Sequence, residues 1–165
     1  MSSLRHWIRA GHGTDIASVV QLERRTREAP HWLEAEYAAI TNSGKNLPFA
    51  VRRCLFVAEA EGRLLGFAVG KVLVSEAVVL AELESVAVSV SARRQGVGRE
   101  LCEAVISWCR ELRAAEMELE VRAGSAGAIA LYVKLGFFPV GKRAGYYRDP
   151  PEDALLMQLK LGGDE

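Results

Sequence analysis

The sequence predicts one α/β domain of 165 residues, in which a mixed sheet carries helices on both faces. Two observations lead to this prediction. Residues 55–73 have the pattern of a strand, a tight turn and a returning strand, which is a hairpin signature. From residue 78 to the C-terminus, strand-like and helix-like periodicities alternate. Because no repeat, low-complexity tract or linker interrupts the chain, residues 1–165 are predicted to form a single domain.

The composition argues against several classes of protein. Half of the residues are apolar and a quarter are charged, which is typical of a globular protein. The 21 basic residues equal the 21 acidic ones, so the chain has no overall basic surplus of the kind that nucleic-acid binders carry. The sparse cysteines, Cys54, Cys102 and Cys109, form no C-x-x-C pair, and the start of the chain has no signal-peptide pattern. Since the apolar stretches are too short to span a membrane, we expect a cytoplasmic protein that binds neither nucleic acid nor membranes.

The first quarter of the chain predicts one strand and two helices. Residues 4–10 alternate enough for a strand. Thr14 and Asp15 offer an N-cap to a helix whose apolar residues lie on one face. A second helix is predicted after Pro30, and residues 42–44 end it.

The remainder supplies most of the sheet and the longest helix. The hairpin turns at residues 61–63, which include a glycine. A helix is predicted from Val97 to about Arg113, because its apolar residues repeat at spacings of three and four. The other predicted elements are strands at residues 78–90, 117–121, 137–140 and 155–161, and a short helix at residues 126–135.

The loop at residues 93–98, Arg-Arg-Gln-Gly-Val-Gly, carries the clearest chemical signal. It follows a predicted strand and opens the long helix. Gly96 and Gly98 let the backbone approach a ligand closely, and the helix N-terminus adds positive potential. Arg99 adds charge to that of the two arginines in the loop. This pattern predicts an anion site suited to a pyrophosphate, although a solvated turn with a basic cap would have the same local sequence.

Other kinds of site have little support. A dinucleotide-binding loop would need glycine or alanine where Leu101 stands. His6, His12 and His31 have no spacing typical of metal ligands, so we predict no metal site. The sequence contains no G-x-S-x-G motif, and the three cysteines have the pattern of small core residues. Covalent catalysis therefore has no candidate nucleophile.

Three motifs together resemble a known family. Residues 93–98 match the R/Q-x-x-G-x-G/A acyl-CoA loop of the GNAT superfamily of N-acyltransferases. Residues 119–122, Leu-Glu-Val-Arg, resemble the strand that follows in that family, and residues 128–137 match its A-x-x-L-Y-x-x-x-G-F helix. The tail, with Tyr146-Tyr147 and residues 152–157, is similar to the branch that acetylates the N-terminal alanine of a ribosomal protein. The resemblance extends from about Val57 to Leu161.

The resemblance implies a fold and a reaction. The fold would be the GNAT fold, whose central sheet is mostly antiparallel. The reaction would be direct transfer of acetyl from acetyl-CoA, the co-substrate, to a primary amine in a ternary complex. The N-terminal α-amino group of a protein is the acceptor that we expect. A small-molecule amine, a lysine side chain or a non-catalytic acyl-CoA sensor remain as alternatives, and both a monomer and a homodimer remain open.

The resemblance also implies which residues bind the co-substrate. Backbone N–H groups of the strand before the loop would hold the thioester carbonyl and the pantetheine, and the loop would hold the pyrophosphate. Ser125 stands where the family usually has an asparagine that contacts the cofactor, and its hydroxyl could keep that contact or cap the following helix. The implied cofactor-binding residues are Val86, Ala87, Val88, Arg93, Arg94, Gln95, Gly96, Val97, Gly98, Arg99 and Ser125.

The implied catalytic residues are Glu120 and Tyr132. Glu120 would be the general base, acting through water, and Tyr132 the general acid at the sulfur. By pattern alone, Glu120 could instead be a solvent-facing strand residue and Tyr132 a core residue. Glu82 and Glu84 are rival candidates for the base.

Aromatic residues are the candidates for acceptor binding. Tyr146 and Tyr147 are predicted to line the peptide groove after the sixth strand, although a surface aromatic hairpin would have the same pattern. Trp32 and Tyr37 are candidates for the opposite wall of that groove.

Overall fold

The computed structural model describes residues 5–26, 32–42, 50–76 and 78–162. Within these residues, seven strands form one sheet in the order β1-β2-β3-β4-β5-β7-β6. The strands are β1 (Trp7–Ala10), β2 (Ala50–Ala60), β3 (Arg63–Val74), β4 (Val79–Val88), β5 (Glu116–Arg122), β6 (Phe138–Arg148) and β7 (Pro151–Lys160). The helices are α1 (Ile16–Arg25), α2 (Glu34–Asn42), α3 (Val97–Glu111) and α4 (Ala126–Lys134). All neighbouring strands are antiparallel except β4 and β5, so the predicted mixed, mostly antiparallel sheet is confirmed.

The β2–β3 hairpin forms where the sequence predicts it. Glu61 and Gly62 lie at the turn with φ of 50° and 74°. Positive φ at both central residues is the conformation that matches the twist of hairpin strands. The two strands extend beyond the predicted residues 55–73, from Ala50 to Val74.

Helices cover both faces of the sheet, as predicted. On one face, α3 packs its apolar stripe on the sheet, and residues of α4 pack against the same core. Two glycines of β3 allow this close approach, because a Cβ on Gly66 would lie 3.1 Å from Leu101 Cδ1 and one on Gly70 would lie 2.5 Å from Val105 Cγ1. On the other face, α1 and α2 enclose a second core.

The three cysteines are free and buried in the core, which confirms the prediction that they are small packing residues. No helix among the described residues is long and apolar enough to cross a membrane.

The ends of the chain differ from the prediction. β1 begins at Trp7, whereas residue 4, the predicted start of this strand, lies outside the described residues. Residues 43 and 44, at the predicted end of α2, also lie outside them. The predicted strand at residues 137–140 is much longer and becomes β6, which runs to Arg148. Pro139, Gly141 and Gly145 hide this strand in the sequence, whereas pairing with β7 maintains it through two register shifts. Tyr146 and Tyr147 consequently lie within the sixth strand, and the prediction that they follow it is wrong.

Candidate active site

A gap opens in the middle of the sheet, between its two parallel strands. β4 and β5 pair only where residues 80–82 face residues 116–118. Beyond that point, β4 continues along β3 to Val88, and β5 continues along β7 to Arg122. The carboxyl ends of β4 and β5 therefore diverge, and backbone groups on their inner edges face the gap.

The pairing of β4 with β3 decides which of its backbone groups are free. The Ser89 N–H donates to the Leu65 carbonyl at 2.7 Å, so this pair belongs to the hydrogen-bonded positions of the ladder. Such positions alternate in an antiparallel pair, so the N–H of Ala87 also turns toward β3, whereas those of Val86 and Val88 point into the gap. Of the three predicted backbone contacts, this geometry favours Val86 and Val88.

The glycine-rich loop leads from β4 into α3 beside the gap. Gly96 directly precedes the helix with φ of 80°, and Arg94 also has a positive φ of 63°. A Cβ on Gly96 would meet no described atom of the chain within 4 Å, so within the chain the positive φ, and not packing, favours the glycine. The side chain of Val97 is buried in the core, which leaves its backbone as the group able to reach a ligand. Gly98 lies under Leu131 and Val88, at 3.4 and 3.5 Å from the position of a Cβ.

The charged side chains of the loop remain at the surface. The Arg93 Nε donates to the Val88 carbonyl at 3.3 Å, and the Gln95 amide donates to the Ser91 carbonyl. Arg99 pairs with Glu103 one turn along α3. Arg94 has no hydrogen bond or ion pair with any described residue. Three exposed guanidinium groups thus surround the N-terminus of α3, which has the potential and the donors to bind an anion.

Glu120 and Tyr132 approach the gap from opposite faces of the sheet. Leu119 and Val121 pack in the core that α3 covers, so the side chain of Glu120 between them points to the α1–α2 face. Tyr132 comes from α4 on the α3 side, with its ring edge-on to Phe137 at a centroid distance of 5.9 Å. A ligand in the gap would therefore lie between the two candidate catalytic groups.

The environment of Tyr132 suits a proton donor. Burial is the main cause that raises the pKa of Tyr132 well above its usual value of 10.0, and the nearby Cys102 and Tyr147 raise it further. The side chain consequently stays protonated at neutral pH. Its hydroxyl has no hydrogen bond to another described residue and is free to donate.

Two residues of β6 surround the Glu120 carboxylate. Arg143 Nε lies 3.5 Å from Glu120 Oε1. The Tyr146 hydroxyl also lies near the carboxylate, although the two groups are not aligned as in a short hydrogen bond. This interaction with Glu120 is the first cause that raises the pKa of Tyr146, and burial is the second. The sequence did not indicate a role for Arg143, because residues 141–148 were not predicted to form a strand. Without that strand, no pattern indicated that its side chain lies near Glu120 of β5.

The turn between β6 and β7 is tied to β5, which places Tyr147 near the gap. The Arg122 guanidinium donates to the carbonyls of Pro150 at 2.9 Å and Asp149 at 3.1 Å, and it lies 4.2 Å from the centre of the Tyr147 ring. Tyr147 in turn packs edge-on against Tyr146. Burial and then the charge of Glu120 raise the pKa of Tyr147. The predicted pair of acceptor-binding tyrosines thus lies in one cluster with Glu120.

The two rival carboxylates have different surroundings. Glu84 is the extra residue of a β-bulge in β4, where Arg53 holds it at 2.9 Å and Lys71 lies 3.9 Å away. These partners make Glu84 a poor base. Glu82 lies opposite Glu118 on the paired part of β4, and burial and then Glu84 raise its pKa. Glu82 therefore remains a rival to Glu120.

The remaining predicted residues lie at the edges of the site. Ser125 occupies the N-cap position of α4, but its side chain makes no capping hydrogen bond, so the hydroxyl is available to a ligand. Trp32 is half-buried, whereas Tyr37 is completely buried and donates to Glu23 Oε2 at 2.6 Å. Tyr37 is a core residue, and the suggestion that it lines the groove is wrong. No group of three His, Cys, Asp or Glu in the described ranges could hold a metal ion, and His31 lies outside them.

Comparisons with known proteins agree on the family. The model of the acetyltransferase (GNAT) family matches residues 16–137. The [ribosomal protein bS18]-alanine N-acetyltransferase of Escherichia coli strain K12 is 35% identical over 150 residues, which cover 90% of this chain and 93% of that relative. The crystal structure of the ribosomal-protein-S18-alanine N-acetyltransferase from Escherichia coli has a TM-score of 0.78 at 32% identity and covers 98% of this chain and 97% of its own. Arabidopsis thaliana NAA60 in complex with acetyl-CoA shares the fold, with a TM-score of 0.82 at 18% identity and coverage of 96% and 100%.

Proposed function

This chain belongs to the acetyltransferase (GNAT) family of acetyl-CoA-dependent enzymes, and from that premise we propose that it acetylates the N-terminal α-amino group of a protein. The observation that carries the proposal is the gap between β4 and β5. Free backbone donors line its β4 edge. The Glu120 carboxylate lies on one face of the sheet, and the protonated Tyr132 lies on the opposite face. By similarity to the relatives that act on a ribosomal protein, we propose an N-terminal alanine as the acceptor and the cytoplasm as the place of action.

The residues around the gap fit acetyl-CoA, which supplies a thioester-activated acetyl group. The N–H groups of Val86 and Val88 are free to bind the thioester carbonyl and the pantetheine. The backbone at Gly96 and the first turn of α3 present donors to a pyrophosphate, and Arg93, Arg94 and Arg99 supply positive charge. The Ser125 hydroxyl is a further donor.

The proposed reaction needs one base, one acid and one stabilised oxygen. The amine nitrogen attacks the thioester carbonyl carbon, so that a C–N bond forms and the C–S bond breaks. The N–H groups of β4 stabilise the negative charge that develops on the carbonyl oxygen. Glu120 accepts the proton that leaves the nitrogen, through a water molecule, and Tyr132 donates a proton to the departing sulfur.

An α-amino acceptor suits a site with a single carboxylate. The α-amino group titrates at about 7.7–8.0 and the lysine side chain at about 10.4. At pH 7.5, roughly a third of α-amino groups are neutral, against about 0.1% of lysine side chains. The α-amine therefore requires less help from Glu120 before it attacks.

Two matched peptides test the proposal. One has a free N-terminal alanine and no lysine, and the other has a blocked N-terminus and one internal lysine. We expect thiol release from acetyl-CoA with the first peptide only. Release with the second peptide alone would retain the family and contradict the proposed acceptor. If neither peptide reacts while acetyl-CoA still binds, the small-amine and sensor functions become the better explanations.

A further inference from the structure

Arg143 has no part in the reaction as derived above, yet it contacts the candidate base. Its Nε lies 3.5 Å from Glu120 Oε1, and its guanidinium carbon lies 5.5 Å from the centre of the Tyr146 ring. Among the described residues, Arg143 is the one cation within ion-pair distance of Glu120. Lys71, another cation of this face, instead lies against Glu84.

The contact between Arg143 and Glu120 is easily broken. The Arg143 side chain is 56% exposed and the Glu120 side chain 24% exposed, so water screens the pair. Ion pairs of this kind contribute little, and breaking one changes an equilibrium by about two- to fivefold. After the guanidinium leaves the carboxylate, it can keep its cation–π contact with the ring of Tyr146.

The acceptor competes with Arg143 for the same carboxylate. Our proposed function brings an α-amino group within one water molecule of Glu120, and most such groups are cations at neutral pH. Even with a water molecule between the ammonium group and the carboxylate, the ammonium group and the Arg143 guanidinium are close enough to repel each other. The acetylated product has no ammonium group and does not need the position that Arg143 occupies.

We propose that Arg143 is a positioning residue that holds the Glu120 carboxylate at the gap until the α-ammonium group of the acceptor displaces it. The inference rests on the proposed function and deepens it, since it assigns to Arg143 a role in specificity. Arg143 opposes binding of the acceptor but does not oppose binding of the acetylated product. Arg143 thereby weakens the binding of the acceptor relative to that of the acetylated product.

Peptide binding to the enzyme saturated with coenzyme A tests this inference. Dissociation constants are measured for the alanine-terminal peptide and for the same peptide with an acetylated N-terminus. In Arg143→Met, we expect the first constant to fall about two- to fivefold and the second to stay unchanged. Arg143→Lys keeps the charge and should restore the parent value for the free amine.

Lys142→Met is the matched control, because it removes one positive charge from the neighbouring exposed position of the same strand. It should leave both constants unchanged. Two results would overturn the displacement, provided that the parent enzyme acetylates the alanine peptide. One is an equal change for both peptides in Arg143→Met, and the other is weaker binding of the free amine in that variant. A parent enzyme that fails to acetylate the alanine peptide would overturn the proposed function and this inference with it.

Discussion

Tyr132 reaches the gap from α4, and Glu120 reaches it from β5, so the candidate acid and base come from different faces of the sheet. Burial favours the neutral form of a phenol, which explains why the pKa of Tyr132 is raised. A tyrosine in this state has a proton to donate over the whole neutral range. Its environment thus agrees with the role of an acid at the sulfur.

Replacing Tyr132 by phenylalanine removes the proton donor and keeps the ring that packs on Phe137. We expect turnover to fall about 100-fold or more, in the range usual for a lost general acid. The affinity for acetyl-CoA should hardly change, because the hydroxyl serves the departing sulfur and not the ground state. Steady-state rates and acetyl-CoA binding by calorimetry measure the two quantities. Equal turnover in the variant and the parent would remove Tyr132 from the mechanism.

At the scale of elements, we propose that the loop and the first turn of α3 form one anion-binding unit. The conformation of this unit depends on Gly96, whose φ of 80° is strained for any residue with a Cβ. The sequence suggests that glycine here lets the backbone approach a ligand closely, and the positive φ gives a second reason for glycine, because no described residue packs against the position. A left-handed residue at this position also aims the N–H groups that follow it.

Gly96→Ala should weaken the binding of acetyl-CoA about tenfold, since a left-handed alanine costs about 1–2 kcal/mol and the loop can avoid this strain by rearranging. The matched control is Gly13→Ala, at another glycine where a Cβ meets nothing within 4 Å but φ is not positive. The control should bind acetyl-CoA like the parent. Unchanged affinity in Gly96→Ala would mean that the loop does not hold the pyrophosphate.

For the whole molecule, several weakly acidic groups are buried in a neutral form. Burial raises the pKa of Cys54, Cys102 and Cys109 from 9.0 to about 12 each. Burial and then the Glu23 contact raise the pKa of Tyr37 well above 10.0. In the unfolded chain these groups lose their protons at lower pH than in the folded protein. Their contribution to stability is therefore complete below pH 9 and is lost as the pH rises toward 12.

We accordingly expect the free energy of unfolding to fall steeply in alkaline solution. Each thiol that is ionised only in the unfolded chain contributes a slope of about 1.4 kcal/mol per pH unit, so the three together give about 4. Urea unfolding with a reductant at several pH values between 8 and 11 measures the slope. Cys102→Ala should lower the slope near pH 10 by about 1.4 kcal/mol per pH unit, the contribution of one thiol, whatever the variant's stability at pH 7. A constant free energy between pH 8 and 10.5 would contradict the burial of the thiols.

Much of the fold and part of the site could be predicted from the sequence. The hairpin around Gly62, the stripe of α3 and the loop at residues 93–98 each depend on neighbours within a few positions of the chain. Local periodicity and turn chemistry carry that information. The length of β6 could not be predicted, because Pro139 and two glycines make it unlike a strand and only its pairing with β7 maintains it.

By itself, the sequence predicted the mixed sheet and the family of the chain, which are confirmed, and it indicated the anion loop and the candidate acid and base, which stay predictions. The tertiary structure alone decided that Val86 and Val88, and not Ala87, turn their N–H groups into the gap, since that choice depends on the register of β4 with β3. It also decided that Tyr37 is buried and that Arg143 faces Glu120. The physical reason is the same in each case: contacts between distant segments depend on strand pairing and layer packing, which no local pattern records.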